Sequence, residues 1–305
     1  MESSRLSSPF SITTDSCANQ ILPILAPRPF QSAATLLGVH CEGPYLQASK
    51  KGAHDSAHFA LPTETLPETL YSPNHLLSTI KLLTLAPELP GSTTLIGHLR
   101  ETYPNLTISL GHSSADYATG LGALAMGATA LTHTFNAMPP LHHREPGLAG
   151  LMSTGRCYYS IIPDGVHLHP SILTMALRTN PGKCILISDS VELAGLPDGV
   201  YPGHGQIGGA QRKEGNKVTI VGTETLVGSC CMLDDCVRNM TVMSGCSLAE
   251  AVRCVTENVA WMMGENKRGM LEIGRRADFV ILDSGGYVKE TWIAGHRVWK
   301  AEPAE

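Results

Sequence analysis

A strand, a helix and a second strand between residues 107 and 133 constrain the fold of this chain more than any other stretch. A short apolar strand ends at Gly111-His112, an Ala/Gly-rich helix follows, and the second strand ends at His133. This order and these lengths predict a crossover between neighbouring parallel strands. Each strand carries one histidine at its carboxyl end, where catalytic residues gather in parallel barrels. Two imidazoles placed in this way suit one shared metal ion.

The same rhythm of strand, polar strand end and helix repeats along the chain. Glu42 follows an apolar run at residues 35–40, and Asp189 follows a fully apolar run at residues 184–187. Further strands are predicted at residues 80–84, 106–110 and 158–162. The repeat predicts an α/β fold, a TIM-like (β/α)8 barrel.

The rhythm breaks at residues 196–224, where Gly- and Pro-rich turns predict a small β excursion. Helices are predicted at residues 232–243 and 248–263, the second behind a capping box, with Trp261 in the core. We divide the chain into a poorly defined segment at 1–34, a barrel domain at 35–265 and a small β segment at 266–305.

Composition excludes several classes of protein. The net charge is −5 without a Lys/Arg cluster, so neither nucleic acid nor an anionic membrane is expected as a partner. No apolar run approaches the ~20 residues of a membrane helix, and the N-terminus lacks the apolar region of a secretory signal. Nine scattered cysteines without a C-x-x-C pair indicate reduced thiols and a cytoplasmic protein.

Glu42, His112 and His133 each follow a predicted parallel strand and should meet at one face. Two imidazoles and a carboxylate suit Zn²⁺, with Fe, Co or Mn as alternatives. Such a metal lowers the pKa of water, and Asp189 on a later strand end is the natural acceptor for the proton of that water.

Further polar side chains of the loops suit a substrate. His54 and His167 are placed to hydrogen-bond a carbonyl or hydroxyl group, and Arg144 suits a phosphate or carboxylate. We call Glu42, His112 and His133 the metal set. Together with the metal set, these residues predict metal-assisted hydrolysis of an amide or ester substrate that carries an anionic group.

Collinear motifs from about residue 35 to the C-terminus resemble the N-acetylglucosamine-6-phosphate deacetylase family of the amidohydrolase superfamily. The motifs are Gly38-Val39-His40-Cys41-Glu42-Gly43-Pro44, Lys51-Gly52-Ala53-His54, Thr84-Leu85-Ala86-Pro87-Glu88, Gly111-His112-Ser113, His133-Thr134-Phe135-Asn136-Ala137-Met138, Arg144-Glu145-Pro146-Gly147, Asp164-Gly165-Val166-His167 and Gly274-Arg275-Arg276-Ala277-Asp278-Phe279. The chain departs from the family pattern at Ser190, where the family commonly has Ala, and at Val227, where it commonly has Ser. The site should tolerate the one added atom of Ser190, and a backbone contact should survive the change at Val227.

The resemblance implies a metal-dependent barrel with a small β-sandwich, which acts as a homodimer. It implies that Glu42, His112 and His133 hold the metal and that Asp189 is the general base and then the acid. It also implies that the substrate is N-acetylglucosamine 6-phosphate and that the products are glucosamine 6-phosphate and acetate. The substrate-binding residues implied are Ala53, His54, Asn136, Ala137, Arg144 at the phosphate, His167, Leu226, Val227 and Gly228.

The family's N-terminal sandwich strands and first barrel strand have no counterpart in this sequence, so we expect a barrel that is incomplete at its first strand. Three hypotheses stay open. The chain is an active deacetylase, or it is a truncated, non-catalytic remnant that binds metal or sugar phosphate or pairs with a full-length subunit. Last, it is a different amidohydrolase, although the usual His-x-His is absent. The sequence leaves open whether Arg144 serves its own subunit or a neighbour.

Overall fold

A computed structural model describes residues 21–30 and 33–302 of the chain. Six parallel strands form one sheet in the order β1 to β6, so each strand pairs with the next in sequence. The strands are β1 (Val39–Glu42), β2 (Ile80–Leu85), β3 (Thr107–Leu110), β4 (Ala130–Leu131), β5 (Tyr158–Ile161) and β6 (Cys184–Leu186). This arrangement brings all six carboxyl ends to one edge, and the predicted α/β barrel class is confirmed.

Helices connect the strands and cover the sheet. They are α1 (Pro67–Ser78), α2 (Ser92–Thr102), α3 (Tyr117–Met126), α4 (Pro170–Thr179), α5 (Leu233–Ser244), α6 (Leu248–Arg253) and α7 (Glu257–Met262). A 3₁₀ helix at Leu148–Thr154 replaces an α-helix between β4 and β5. Sheet residues such as Leu83, Ile108 and Ile161 are fully buried beneath these helices. This core fixes the strand ends that carry the polar side chains.

The helix between β3 and β4 has both of its ends encoded locally. The Asp116 side chain accepts from the Thr119 amide and caps α3, and the helix ends at Gly127, whose φ of 120° suits glycine. Both flanking strands are thereby held close to the predicted positions.

The predicted helix at residues 248–263 is wrong, because the structure has two helices there, α6 and α7. The carbonyl of Cys254 leaves the helix and accepts from the Leu186 amide of β6. Asn258 is buried and donates to the carbonyls of Pro181 and Cys184. The break therefore satisfies backbone groups around β6 that a continuous helix would leave unpaired. Trp261, predicted in the core, is instead 57% exposed.

An antiparallel sheet forms the predicted excursion, with strands in the order β10-β9-β8-β7. The strands are β7 (Gly199–Tyr201), β8 (Gln211–Glu214), β9 (Lys217–Ile220) and β10 (Leu226–Ser229). A parallel bridge between Ser229 and Ser190 ties β10 to the segment that follows β6. The excursion thus returns to the edge where the strand ends meet.

The predicted C-terminal β unit is a three-stranded antiparallel sheet of β11 (Phe279–Leu282), β12 (Val288–Ile293) and β13 (His296–Lys300). The rings of Phe279 and Trp292 stack across it at 5.4 Å between centroids. The domain boundaries stay a prediction, and most of the 1–34 segment lies outside the described residues. Among the described helices, none has the length and apolarity needed to cross a membrane.

Candidate metal centre and active site

Glu42, His112 and His133 converge as predicted at the carboxyl edge of the sheet. The Glu42 Oε1 atom lies 2.9 Å from His112 Nε2 and 2.8 Å from His133 Nε2, and the two Nε2 atoms are 3.1 Å apart. All three residues are at most 5% exposed. Ligand atoms of a tetrahedral zinc ion lie about 3.3 Å apart. The three atoms are therefore within a few tenths of an ångström of a tetrahedral face, and they fit a divalent metal.

The tautomer of His112 also fits a metal ligand. Its Nδ1 lies 2.7 Å from the carbonyl oxygen of Lys50, and because a carbonyl only accepts, Nδ1 carries the proton. The lone pair of Nε2 then points towards Glu42 and His133. Histidine ligands commonly have their other nitrogen bonded in this way.

His54 offers a second way to complete a three-ligand group, because Glu42, His54 and His112 also bring their ligand atoms within 4.8 Å of one another. Its Nε2, however, faces the other carboxylate oxygen of Glu42, Oε2, at 3.7 Å. His112 and His133 share Oε1 at shorter distances. We therefore place His133 in the metal set and His54 beside it, facing the cavity.

The local charges change the pKa values of the three groups. Burial alone would raise the pKa of Glu42, but His112 and His133 hold it well below its ordinary value. Burial alone would lower the pKa of His133, but the Glu42 carboxylate outweighs it and raises that pKa to about 9. Burial lowers the pKa of His112. The arrangement thus keeps Glu42 ionised and His112 neutral, whereas His133 would have to release a proton on binding a cation.

Asp189 is half-buried at the same edge, three residues after the end of β6. Burial raises the pKa of its carboxyl above the ordinary aspartate value. Its φ of 49° is left-handed, and its carbonyl oxygen accepts from the Ser229 amide at 2.8 Å. A Cβ on Gly228 would lie 2.7 Å from that oxygen, so only glycine fits beneath Asp189. The excursion sheet therefore supports the backbone of this residue.

His167 is oriented by Asp164 from the same loop. The Asp164 carboxylate accepts from the backbone amides of Val166 and His167 and lies 2.7 Å from His167 Nδ1. These bonds to His167 hold the pKa of Asp164 below its ordinary value, although burial alone would raise it. With Nδ1 engaged in this bond, Nε2 of His167 is the nitrogen left for a ligand in the cavity.

A cavity of about 190 Å³ lies over the metal set. It is lined by Glu42, Gly52, Ala53, His54, His112, His133, Asn136, Ala137, His167, Asp189, Val191, Glu192, His204, Gln206, Ile207, Leu226 and Val227. The sequence predictions place eleven of these residues at the site. The cavity thus joins the proposed ligands, the proposed base and the proposed substrate contacts in one space.

Two predicted site residues do not line the cavity. Gly228 packs under Asp189 instead. Arg144 is exposed, in a loop beside His142 and His143, whose rings lie 4.2 Å apart between centroids and are tilted by 41°.

The sequence reading missed the wall that the excursion contributes. The loop at residues 203–207 places His204, Gln206 and Ile207 on the cavity. It is held to the opposite wall by two hydrogen bonds, from the Asp55 amide to the Gln206 carbonyl and from His58 Nε2 to the Gly205 carbonyl. His204 Nε2 also lies 3.3 Å from a carboxylate oxygen of Glu192. The only sequence signal was the broken rhythm at 196–224.

His40, two residues before Glu42, should make the metal-free protein sensitive to acid. Burial lowers its pKa to about 4 from an ordinary value of 6.5. Below pH 6.5 the unfolded chain binds a proton that the folded chain refuses, so this contribution to stability is complete above pH 6.5 and is lost as the pH falls to about 4.

We expect this effect to lower the free energy of unfolding by about 1.4 kcal/mol per pH unit within that window. Urea unfolding of the chelator-treated protein at pH 7 and pH 5 measures it. The His40→Gln variant should show a pH slope that is shallower by one proton. Equal slopes for the two proteins would contradict the prediction.

Comparisons with known proteins agree with this geometry. The Amidohydrolase family matches residues 164–299. An N-acetylglucosamine-6-phosphate deacetylase from Danio rerio is 38% identical over 275 residues, which cover 88% of this chain and 67% of that protein. This chain belongs to the N-acetylglucosamine-6-phosphate deacetylase family. It spans about two thirds of the length of this relative.

Solved structures of deacetylases in this family have the same fold. The Thermotoga maritima N-acetylglucosamine-6-phosphate deacetylase superposes with a TM-score of 0.84 at 30% identity, covering 97% of this chain and 78% of that one. A Mycobacterium smegmatis variant in complex with N-acetyl-D-glucosamine-6-phosphate gives a TM-score of 0.77 at 31% identity, covering 86% and 68%. The family resemblance predicted from the sequence is confirmed.

Proposed function

We propose that this chain is a metal-dependent hydrolase that removes the acetyl group from N-acetylglucosamine 6-phosphate. The products are glucosamine 6-phosphate and acetate. The observation that carries the proposal is the convergence of Glu42, His112 and His133 in one cavity with the carboxyl of Asp189. Membership of the deacetylase family supports the same chemistry and substrate.

Glu42, His112 and His133 would hold one divalent cation, with Zn²⁺ as the first choice and Fe, Co or Mn as alternatives. When bound, the cation supplies polarisation of the acetyl carbonyl and a lower pKa for water. Its identity is open because borderline nitrogen and oxygen donors accept several first-row ions.

Asp189 would act first as the base and then as the acid. Its carboxylate accepts a proton from the attacking water, and the same oxygen later returns a proton to the amine nitrogen as the C–N bond breaks. Burial raises the pKa of this carboxyl above the ordinary aspartate value, which favours the protonated form that the second transfer requires.

Other residues would position the substrate. His54, close to Glu42 Oε2, is placed to hydrogen-bond the acetyl carbonyl, and His167 Nε2 to hold a sugar hydroxyl. Asn136 and Ala137 line the same cavity, as do Ala53, Leu226 and Val227. Gly228 would act by letting the chain approach Asp189 closely. These positions share one cavity, which supports their common role.

The non-catalytic alternative is not favoured. A remnant that only bound metal or sugar phosphate would not require a carboxyl group placed to act as acid and base beside the metal set, and Asp189 occupies that place. A different amidohydrolase activity has no observation in its support. The cytoplasmic location expected from the sequence stays a prediction.

Acetate release from N-acetylglucosamine 6-phosphate by the purified chain tests the proposed function. We expect turnover with Zn²⁺ or Co²⁺, loss of turnover after chelation, and recovery when the metal is returned, because the three ligands are all present. A soluble, metal-loaded chain that releases no acetate would contradict the proposal.

We also propose that the chain acts as a homodimer and that Arg144 holds the phosphate in a neighbour's cavity. The exposed position of Arg144, away from the lining of its own cavity, supports a role outside its own subunit. A guanidinium suits a phosphate because it donates two parallel hydrogen bonds.

Arg144→Ala should raise KM by about 10- to 100-fold with a smaller change in kcat, because a charged hydrogen bond to the substrate is lost. Mixing this variant with Asp189→Asn and allowing subunits to exchange should give about a quarter of the original kcat/KM, since half of the dimers then carry one complete site. An unchanged KM for Arg144→Ala alone would contradict the phosphate contact. A mixture whose kcat/KM does not rise above that of Arg144→Ala would contradict the contact across the dimer.

A further inference from the structure

A chain of hydrogen bonds links the half-buried side chain of His40 to three buried hydroxyl groups on or next to strands β2 to β4, beneath the metal set. His40 Nε2 on β1 lies 2.7 Å from Thr84 Oγ1 on β2, and Thr84 Oγ1 lies 2.7 Å from Thr132 Oγ1. Thr132, just after β4, is in turn 2.6 Å from Ser109 Oγ on β3. Thr84, Ser109 and Thr132 are each at most 4% exposed. We call His40, Thr84, Ser109 and Thr132 the buried polar layer.

The layer touches the chain next to all three proposed ligands. His40 precedes Glu42 by two residues and therefore points to the same face of β1. Thr132 is bonded directly to His133 in the chain. Gly111 precedes His112, and a Cβ there would lie 2.9 Å from Thr132 Cβ and 3.1 Å from Thr84 Cγ2. The backbone before His112 therefore rests on the two threonines.

The hydrogen bonds of the buried polar layer restrict how far its strands can move relative to one another. Each hydroxyl has one proton to donate, so Thr84 and Thr132, which each have two partners in the layer, must accept in at least one of their two bonds. Because these hydroxyl groups are buried, loss of one member leaves its neighbours unpaired, which costs more than the bond itself contributes. The strands are therefore held at a spacing that these four side chains define.

We propose that the buried polar layer sets the spacing of Glu42, His112 and His133 for the metal. This inference rests on the metal site of the proposed function. Thr132 is its central member, because it bonds Thr84 and Ser109 and contacts the residue before His112. Removing its hydroxyl should let β3 and β4 shift, and with them His112 and His133. The layer then governs metal affinity without touching the metal.

Thr132→Val tests this inference, since valine keeps the shape and removes the hydroxyl. Co²⁺ is the probe, measured by its visible absorption and by competition with a chelator. We expect Thr132→Val to weaken Co²⁺ binding by about 10- to 100-fold, as outer-shell changes do, and to alter the absorption bands. Thr132→Ser, which restores the hydroxyl, should bind Co²⁺ with nearly the original affinity and spectrum.

Thr107→Val is the matched control. Thr107 is a buried threonine on β3 outside the layer, and its hydroxyl contacts only the sulfur of Met263, at 3.9 Å, among the bonds described. It should leave Co²⁺ affinity and spectrum unchanged, even if the protein unfolds at a lower urea concentration.

Equal affinities and spectra for Thr132→Val and Thr107→Val would overturn the inference while leaving the metal site intact. A loss in Thr132→Ser as large as that in Thr132→Val would also overturn it, because packing rather than the hydroxyl would then be responsible. Failure of the unsubstituted chain to bind Co²⁺ would instead contradict the proposed metal set, and the inference with it.

Discussion

Asp189→Asn is expected to lower kcat for acetate release by about 10³-fold, the range of a lost general acid–base group. The amide has the shape of the carboxyl but neither accepts the proton of water nor returns one to the amine. The substitution lies at the packed carboxyl edge of the parallel sheet and leaves Glu42, His112 and His133 unchanged. The metal content should therefore stay the same.

The measurement compares acetate release with metal content determined on the same samples. Asp198→Asn is a suitable control, since Asp198 accepts hydrogen bonds from Lys213 and the Gly215 amide in the excursion and lies outside the cavity lining. It should retain nearly full activity. A variant at position 189 that kept more than about a tenth of the original kcat would show that another group carries the proton.

Glu42→Gln is expected to weaken Zn²⁺ binding by at least about 100-fold, because it removes the only negative charge of the three-ligand set. The 2% exposed carboxylate also holds the pKa of His133 at about 9, and without it that imidazole should lose its excess basicity. Metal-linked stabilisation then falls by about 2.7 kcal/mol at a fixed Zn²⁺ concentration well above the original Kd.

Chelator competition gives the affinity, and urea unfolding with and without Zn²⁺ gives the linked stability. Glu68→Gln is the matched control, since Glu68 also pairs with a histidine, His98, at 2.6 Å but outside the cavity. Unchanged Zn²⁺ affinity in Glu42→Gln, with His133→Asn equally without effect, would point to ligands other than those proposed.

The sequence was most informative where a strand end fixes a side chain. Glu42, His112 and His133 follow three strands of one parallel sheet, and a parallel sheet brings such positions together whatever the intervening loops do. Their convergence could therefore be predicted from the repeat of strands and helices and from the order of the strands along the chain.

Features that depend on packing across distant segments could not be predicted in this way. The helix break near Cys254 exists because β6 needs a partner for the Leu186 amide, and no local signal encodes that need. His204 and Gln206 reach the cavity only because the 203–207 loop meets the segment at Asp55 and His58. Thr84 and Thr132 read as ordinary strand residues until their hydroxyl contact is seen.

The 203–207 loop lines the cavity but carries none of the proposed metal ligands and not the proposed base. The proposed metal ligands and the proposed base follow strands of the parallel sheet. Part of the space for the sugar is instead bounded by the hairpin turn between β7 and β8, whose sequence is not constrained by the register of a strand. Substitutions in that turn can change which acylated sugar fits while the metal ligands and the base keep their positions. Part of the selectivity is thus encoded in a different stretch of the chain from the reactive groups.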